Sequence, residues 1–325
     1  MNIYLKLISD QINSLISGYN NSSPWAKTFI LTLLLLLFIA YMRNAGGPNG
    51  ISDGPSLMEG FEQHDKFVFK QGPAVYDDFY ASIYDYLVYN QQKDQYEIGE
   101  IIAKTTPTTQ SRILDVGCGN GHHVGLLTSQ KMDVTGMDIS PDMVDHAKKT
   151  YPDGKFIVGD ALKSGTFEPN SFTHITCLYF TIYYFVNKDQ FFENAFRWLM
   201  PGGSLIVHLV NREKFDPILP PGNPLLFVSP QKYAKKRITH TNLVFDTFDY
   251  NANFDLDKSA NVAKFTERFK FKDGKSRKNE HVMYMEQQTA ILTRAQEAGF
   301  ILQNKMELMN CAYDFQYLYV LIKPT

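Results

Sequence analysis

Short apolar runs alternate with amphipathic stretches through the middle of the chain. These runs predict buried strands, which occupy 112–116, 133–138, 155–159, part of 171–180, and 204–210. The stretches between them carry the start and stop signals of helices and predict three, at 122–129, 141–151 and 189–200. Because strands and helices that alternate at this interval build a parallel sheet covered on both faces, the pattern predicts an α/β fold.

The two flanks of this region carry different patterns. Before the first strand, helical spacing predicts two helices, at 76–89 and 97–104. After the last one, 243–256 and 262–286 alternate polar with aromatic or aliphatic residues, and Asp273-Gly274 is a strong hairpin signal. This part of the chain predicts antiparallel strands, followed by a helix and two closing strands, at 289–298, 300–307 and 316–322.

Residues 25–42 (WAKTFILTLLLLLFIAYM) have no polar face and a single charge, on Lys27. As a helix this run would be about 27 Å long, close to the thickness of a bilayer core. Aromatic and cationic side chains stand at its ends, as at a membrane interface. The pattern predicts a retained single-pass anchor over 25–43. A cleaved signal peptide and a buried core helix are the alternatives.

Composition divides the remainder of the chain. Residues 1–24 form a short segment before the predicted anchor. Residues 44–60 are rich in Gly, Pro, Asn and Ser and too poor in apolar side chains to pack a core, so a linker is predicted over 44–66. The folded domain is predicted over 67–325, and the antiparallel insertion 243–286 is expected over its crevice as a lid or a dimer surface.

Charge and cysteine content narrow the partners. The net charge is −2 at pH 7, which gives no whole-chain reason to expect a nucleic acid. Cys118, Cys177 and Cys311 are an odd, widely spaced set, so they predict neither a disulfide framework nor a metal site. We therefore expect no metal.

The stretch ILDVGCGNG (113–121) places a glycine-rich turn between a predicted strand and a predicted helix. Gly117, Gly119 and Gly121 stand at every second position, where they let the backbone approach a ligand closely. A dinucleotide site would need G-x-G-x-x-G, but its sixth position is His122. A phosphate-binding G-x-x-x-x-G-K-[ST] loop is excluded because no lysine follows.

Asp115 with these three glycines gives Asp-x-Gly-x-Gly-x-Gly, which resembles the first motif of class I S-adenosylmethionine-dependent methyltransferases. Further motifs follow in the order of that family: VTGMD, FIVGD, ITCLYFTIYYF (175–185), LMPGG (199–203) and EAGF (297–300). The resemblance covers about 76–210 and the last 35 residues or so. It implies a Rossmann-like sheet with helices on both faces and S-adenosylmethionine as cofactor.

The resemblance also implies which residues meet the cofactor. Asp138 would accept both ribose hydroxyls, and Asp160 would meet the adenine amino group with Ala161 beside the ring. His123 would reach the cofactor's carboxylate. Tyr84 lies on the N-terminal helix, which in related enzymes closes over the cofactor and carries a tyrosine that contacts its carboxylate; core packing is the equal alternative. The full predicted set is Asp115, Gly117, Cys118, Gly119, Gly121, His123, Asp138, Ile139, Asp160, Ala161, Leu178 and Tyr84.

The segment around Tyr179 and Tyr183 resembles the fourth motif of small-molecule N-methyltransferases. It lacks the Asn/Asp/Ser-Pro-Pro-aromatic signature of nucleic-acid amino methyltransferases, so a small-molecule or lipid-like acceptor is predicted. The resemblance points to nitrogen, but the sequence does not fix the acceptor atom. Tyr179 and Tyr183 are candidates to line the acceptor pocket, with ordinary core packing as the alternative. His208, near the end of the fifth predicted strand, is the candidate base; a structural, hydrogen-bonded histidine is its alternative.

These observations predict a membrane-anchored, S-adenosylmethionine-dependent methyltransferase. Cofactor supply places its catalytic domain on the cytosolic side of the membrane. A non-catalytic membrane scaffold that keeps the fold is one alternative, and a protein or RNA methyltransferase is another. The intact glycines and the two acids Asp138 and Asp160 favour the enzyme, because a scaffold would not need these residues for any chemical step.

Overall fold

The computed structural model describes residues 23–33, 66–217, 234 and 236–325. The chain divides into two compact units, Met1–Gly60 and Phe61–Thr325. In the first unit the described residues form one helix, α1 (24–33). All other elements belong to the second unit.

The prediction of a membrane location is wrong. Within the parts of the chain that the structure describes, no helix is both long enough and apolar enough to cross a membrane. Helix α1 overlaps the first part of the predicted anchor. The single-pass anchor and the cytosolic placement beside it are therefore withdrawn. The rest of that stretch, 34–43, and almost all of the predicted linker lie outside the described residues.

The second unit is built from twelve strands and seven helices among the residues described. The strands are β1 (Phe67–Gln71), β2 (Arg112–Val116), β3 (Asp133–Asp138), β4 (Lys155–Val158), β5 (Phe172–Cys177), β6 (Leu199–Val210), β7 (His240–Val244), β8 (Phe248–Asp257), β9 (Val262–Phe271), β10 (Ser276–Tyr284), β11 (Ile301–Glu307) and β12 (Gln316–Ile322). The helices are α2 (Asp78–Leu87), α3 (Gln91–Thr105), α4 (His122–Ser129), α5 (Pro141–Thr150), α6 (Thr181–Tyr184), α7 (Lys188–Trp198) and α8 (Gln288–Glu297).

Seven strands form the main sheet, in the order β11-β12-β6-β5-β2-β3-β4. Strands β2 to β6 pair in parallel, and β12 is antiparallel to both of its neighbours. The order reverses between β2 and β5, where crossovers leave towards opposite edges of the sheet. In open α/β sheets such a switch point, at the carboxyl ends of the strands, is where ligands bind. The predicted α/β fold with helices and a mixed sheet is confirmed.

Five strands form a second sheet, in the order β1-β10-β9-β8-β7. Strands β7 to β10 are antiparallel neighbours, as the alternating pattern predicts, and β1 adds to β10 in parallel. Strand β1 is not predicted from the sequence, because FVFKQ is too short and too exposed to give a pattern. It closes one edge of this sheet.

One apolar cluster joins the two sheets. It contains Leu114 and Val207 from the main sheet together with Phe254, Ala263 and Met283 from the second one. A second cluster covers the other face of the main sheet under helices α3, α4 and α5. The antiparallel strands are thus packed against the main sheet through shared core rather than held by a linker alone.

Local signals fix the helices that lead into the crevice. The Ser140 side chain accepts a hydrogen bond from the Met143 N–H at 3.1 Å and caps α5, with Pro141 in the first turn. Asn90 caps α3 in the same way. This cap starts α3 six residues before the predicted helix 97–104, because the residues of its first turn are polar and carry no apolar period.

The turn into α4 requires glycine. Gly121 has φ +84°, and a Cβ at this position would lie 2.7 Å from the Phe156 ring. We expect Gly121→Ala to lower the free energy of unfolding by about 1–3 kcal/mol, since both backbone strain and a steric clash oppose it. Urea unfolding followed by circular dichroism measures the change.

Gly99, in the exposed middle of α3, is the matched control. A Cβ there meets nothing within 4 Å. We expect Gly99→Ala to raise the free energy of unfolding by about 0.5–1 kcal/mol through helix propensity. Equal effects of the two substitutions would contradict the turn geometry.

Candidate active site

A cavity of about 630 Å³ lies at the switch point. One side is formed by the glycine loop and by the ends of β3 and β4, which contribute Asp138 and Asp160. The other side is formed by α2, by α6 and by the second sheet, whose strands contribute Phe254, Phe265 and His281. The cavity is therefore enclosed between the two sheets.

The glycine loop presents backbone to this cavity. Gly119 has φ +53°, and a Cβ there would find its nearest neighbour, the Tyr84 ring, only at 3.9 Å. Gly117 has φ +70° and no room, since a Cβ would lie 2.4 Å from the Thr181 side chain. The loop is held because the N–H groups of Gly117 and Cys118 both donate to the carbonyl of Met137, at 2.7 and 3.1 Å.

Asp138 is fixed by backbone donors. Its Oδ2 accepts from the Gly119 N–H and its Oδ1 from the Ser140 N–H, both at 2.9 Å. Burial raises the pKa of this carboxyl, and the backbone hydrogen bonds offset part of that rise. The next residue, Ile139, exposes nearly half of its side chain and lines the same wall. Asp138 thus ties the glycine loop to α5 and offers oxygen atoms to the cavity.

Asp160, two residues after the end of β4, is the second acid of this wall. The Asp160 Oδ1 accepts from the Leu162 N–H at 2.9 Å, which turns the chain and leaves Ala161 at the cavity. Of the predicted site residues, the structure brings eight to the cavity wall: Gly117, Gly119, Asp138, Ile139, Asp160, Ala161, Tyr84 and Tyr179.

The other predicted site residues do not line the cavity. Cys118 and Leu178 are buried in the apolar cluster under α3 to α5, and burial raises the pKa of the Cys118 thiol. Gly121 serves the turn described above. Asp115 is buried in β2, where its Oδ1 accepts from the Thr176 hydroxyl at 2.7 Å and its Oδ2 finds no partner among the described residues. Burial raises the pKa of Asp115.

His123 belongs to a buried cluster of charges behind the glycine loop. Its Nε2 lies 3.2 Å from Glu97 and 3.7 Å from Asp94, and Lys93 Nζ lies 2.8 Å from Glu97. Burial alone would lower the pKa of His123, but the acids outweigh it and raise the pKa to about 9. Three of these groups are close enough to share a metal ion. The Lys93 ammonium already neutralises Glu97, so the cluster is balanced without one.

The predicted catalytic residues lie at different depths. The Tyr179 ring lines the cavity, while Tyr183 is fully buried and its hydroxyl oxygen accepts from the Val210 N–H at 2.8 Å. His208 is fully buried, with Nδ1 against the Tyr179 carbonyl and Nε2 3.0 Å from the Gln316 amide oxygen. Burial, then Lys93, lowers the pKa of His208 to about 4. Both ring nitrogens face acceptor oxygens, so the neutral imidazole can donate a hydrogen bond to only one of them.

The sequence analysis does not predict a hydrogen-bonded group of polar side chains at the cavity, formed by Tyr184, His281 and Glu267. The Tyr184 hydroxyl lies 3.1 Å from Nδ1 of His281, and His281 Nε2 lies 2.8 Å from Glu267. His281 and Glu267 occupy inward positions of β10 and β9, where alternation calls for apolar residues. A buried polar residue in a strand is the signal that could have found them, but only the strand register brings them together.

The residues at the cavity fit a cofactor with a positively charged amino acid part and a ribose. The glycine loop leaves room beside Gly119, and Asp138 offers a carboxylate held in place by backbone donors. Asp216 completes a set of three acids, and no Lys or Arg lines the described part of the cavity. The fold and this wall define a Rossmann-like protein that binds a nucleoside-containing cofactor.

Comparison with known proteins identifies a methyltransferase domain in the main sheet. Residues 114–207 match a model described as a methyltransferase domain. A dTDP-4-amino-2,3,4,6-tetradeoxy-D-glucose N,N-dimethyltransferase from Saccharopolyspora spinosa is 30% identical over 146 residues, which are 43% of this chain and 57% of that protein. The match therefore spans little more than half the length of this relative.

Two solved structures have similar folds. The CcbJ methyltransferase from Streptomyces caelestis has a TM-score of 0.58 at 14% identity, covering 81% of this chain and all of that one. CalS10 from Micromonospora echinaspora, an amino pentose methyltransferase solved with S-adenosylmethionine bound, has a TM-score of 0.51 at 18% identity, over 71% of this chain and 90% of its own. Residues 114–207 are thus similar to S-adenosylmethionine-dependent methyltransferases, and the predicted resemblance, with the enzyme class and cofactor that it implies, is confirmed.

Asp138 gives the first test of the cofactor wall. We expect Asp138→Ala to weaken S-adenosylmethionine binding by about 100-fold or more, because each hydrogen bond to a charged group contributes about 1.5–3 kcal/mol. Isothermal titration calorimetry measures the affinity. Asp138→Asn keeps one acceptor for the loop and separates lost binding from a disturbed turn. Exposed Asp153→Ala is the control, and equal binding by Asp138→Ala and wild type would contradict the contact.

The charge cluster behind the loop predicts a pH-dependent stability. The pKa of His123 is raised from 6.5 to about 9, so its contribution is complete below pH 6.5 and is lost as the pH rises through 9. The pKa of Glu97 is lowered from 4.5 to about 2 by Lys93 and His123 against the effect of burial, so its contribution is lost as the pH falls from 4.5 to 2.

We expect His123→Gln to abolish the decline in unfolding free energy between pH 6.5 and pH 9 and to cost up to about 3 kcal/mol at the acid end of that window. Urea unfolding at a series of pH values measures both effects. Exposed His240→Gln is the control. A decline that persists unchanged in His123→Gln would contradict the pairing.

Proposed function

We propose that the protein transfers a methyl group from S-adenosylmethionine to the nitrogen of a small-molecule amine. The observation that carries this proposal is the composition of the cavity wall: aromatic rings and acids, without a Lys or Arg in its described part. The glycine loop and the ends of β3 and β4 form the cofactor half of the cavity, and α2, α6 and the second sheet form the acceptor half.

In the cofactor half, Asp138 would accept hydrogen bonds from the ribose hydroxyls, and Ile139 and Ala161 would flank the adenine. Asp160 would meet the adenine amino group. This arrangement is supported by the position of all four residues on one wall and by the open space beside Gly119. The buried Asp115 and the charged cluster around His123 lie behind the glycine loop. They would stabilise the conformation of the loop and contribute to the electrostatic potential around it.

In the acceptor half, an ammonium group suits the surroundings. The rings of Tyr76, Tyr184 and Phe265 line this half of the cavity and would attract a cation through their quadrupoles. An acceptor carrying a phosphate or a carboxylate would bring negative charge to a wall that holds acids and, among its described residues, no Lys or Arg. The acceptor would then differ from the dTDP-linked sugar in the name of the Saccharopolyspora relative, which carries a diphosphate.

The size of the cavity supports a small acceptor. About 630 Å³ must hold the cofactor as well as the group to be methylated. Ligand pockets of drug-sized molecules occupy about 300–1,000 Å³, so the space suits the cofactor and a compact amine. Enclosure between two sheets would also exclude water from the transferring methyl group, as methyl transfer requires.

A panel of paired acceptors tests the proposal. We expect aryl-alkyl and cyclic amines to be methylated, and each phosphorylated or nucleotide-linked counterpart to react at least about 100-fold more slowly in kcat/KM, because a wall without cations cannot compensate its charge. The release of S-adenosylhomocysteine and the mass of the product are measured. Alcohols of the same shape are the control for the acceptor atom.

Faster transfer to a nucleotide-linked amino sugar than to the free amine would contradict the proposed acceptor class. Cofactor binding without transfer to any amine would favour the non-catalytic scaffold. Transfer only to a polypeptide or an RNA would favour the remaining alternative.

A further inference from the structure

The carboxylate of Glu267 is fully buried in β9 and is surrounded by donors. Its Oε1 accepts from the hydroxyls of Tyr80 and Tyr250, at 3.1 and 2.7 Å, and its Oε2 from the Asn279 amide at 3.2 Å. Burial alone would raise the pKa of Glu267, but the hydrogen bonds from His281 and these neighbours outweigh it, and the pKa is lowered. Glu267 is therefore a permanent negative charge inside the second sheet.

This charge fixes the tautomer of His281. Nε2 lies 2.8 Å from the Glu267 Oε2, and a carboxylate only accepts hydrogen bonds, so the ring proton sits on Nε2. Nδ1 then carries a lone pair. It accepts from the Tyr184 hydroxyl at 3.1 Å, with the Tyr76 hydroxyl at 3.5 Å. A basic nitrogen backed by a carboxylate thus faces two hydroxyls at the cavity wall.

The ionisable groups that pack against His281 are consistent with a proton on its Nε2 and a lone pair on its Nδ1. Glu267 comes from β9, Tyr76 from the turn before α2, Tyr80 from α2 and Tyr184 from α6. Burial raises the pKa of all three tyrosines, so each stays protonated and able to donate. No Lys or Arg in the described chain contacts the ring of His281.

We propose that Tyr184, His281 and Glu267 form a proton relay that takes the proton from the acceptor's ammonium group during methyl transfer. This proposal rests on the proposed function and names the groups that deprotonate its acceptor. Tyr184 contacts the acceptor, and His281 and Glu267 act through it as positioning residues.

The relay balances charge and protons. The ammonium nitrogen gives a proton to the Tyr184 oxygen as the Tyr184 hydroxyl proton moves to Nδ1 of His281. The nitrogen lone pair then forms a bond to the methyl carbon, and the carbon–sulfur bond breaks with its electron pair going to sulfur. The positive charge of the sulfonium passes to the methylated nitrogen, and the charge of the departed proton stays as an imidazolium beside Glu267. A buried carboxylate stabilises that new cation.

His208, the base predicted from the sequence, is less suited to this task. Its Nδ1 faces the Tyr179 carbonyl and its Nε2 the Gln316 amide oxygen. Burial and then Lys93 lower its pKa to about 4, and no carboxylate of the described residues is within hydrogen-bond distance of its ring. A proton on His208 would lack the stabilisation that Glu267 gives to His281.

A pH profile of Tyr184→Phe and His281→Asn tests the relay. We expect kcat/KM on an amine to fall by about 100-fold near pH 7, where the acceptor must lose a proton, and the loss to shrink to a few-fold near pH 9, where free amine is present. Calorimetric affinity for S-adenosylmethionine should stay within about 3-fold of wild type. Tyr319→Phe and His174→Asn, which lose the same groups away from the cavity, are the matched controls.

A loss of the same size at every pH would overturn the relay and leave the proposed function standing. A wild-type enzyme that methylates no amine would overturn both. If His281→Asn fails to bind the cofactor, Tyr184→Phe, which removes a single oxygen, decides by the same profile. Nitrogen-15 NMR of the wild-type protein gives an independent reading: a proton on Nε2 of His281 is expected, and a proton on Nδ1 would overturn the relay.

Discussion

The buried carboxylate of Glu267 is the interaction on which the cavity depends. It collects hydrogen bonds from Tyr80 on α2, Tyr250 on β8, and Asn279 and His281 on β10. Removing one partner from a buried charge costs several kcal/mol, so these elements are held to one another. The second sheet and α2 thereby keep a fixed position over the glycine loop and the ends of β3 and β4.

A ladder of polar side chains extends this interaction along the inner face of β10. Arg277 donates to Asp77 at 2.9 Å and to the Val75 carbonyl at 3.0 Å, and its Nε donates to Asn279 at 2.8 Å. Asp77 is also the N-cap of α2. The start of α2, which carries the tyrosines of the cavity, is therefore tied to the same strand as His281.

The sequence predicts the cofactor half of the molecule far better than the acceptor half. Asp138 and the glycines stand in contiguous motifs, where strand, turn and helix follow each other within a few residues, so local pattern is enough. Glu267 and His281 meet only through the register of β9 and β10, which alternation alone does not set. His208 was favoured as base because it lies at a strand end, but its burial and its two partners are tertiary facts.

The membrane interpretation failed for a related reason. The apolar run from Trp25 predicts a spanning helix by length and composition, which are local quantities, whereas no helix among the described residues is long and apolar enough to cross a membrane. Short polar first turns were also missed, as at α3, where the Asn90 cap rather than an apolar period sets the start. The periodicity of apolar residues shows which face of a segment can be buried. It does not show which other segment that face packs against, because the tertiary fold decides this.

The central claim is that one cavity joins a cofactor wall on the main sheet to an acceptor wall on the second sheet. A crystal structure with S-adenosylhomocysteine tests it most directly. The account predicts ribose hydroxyls on the Asp138 carboxylate and the sulfur atom turned towards Tyr184 and His281. A cofactor bound with its sulfur directed away from the second sheet, or bound outside this cavity, would contradict it.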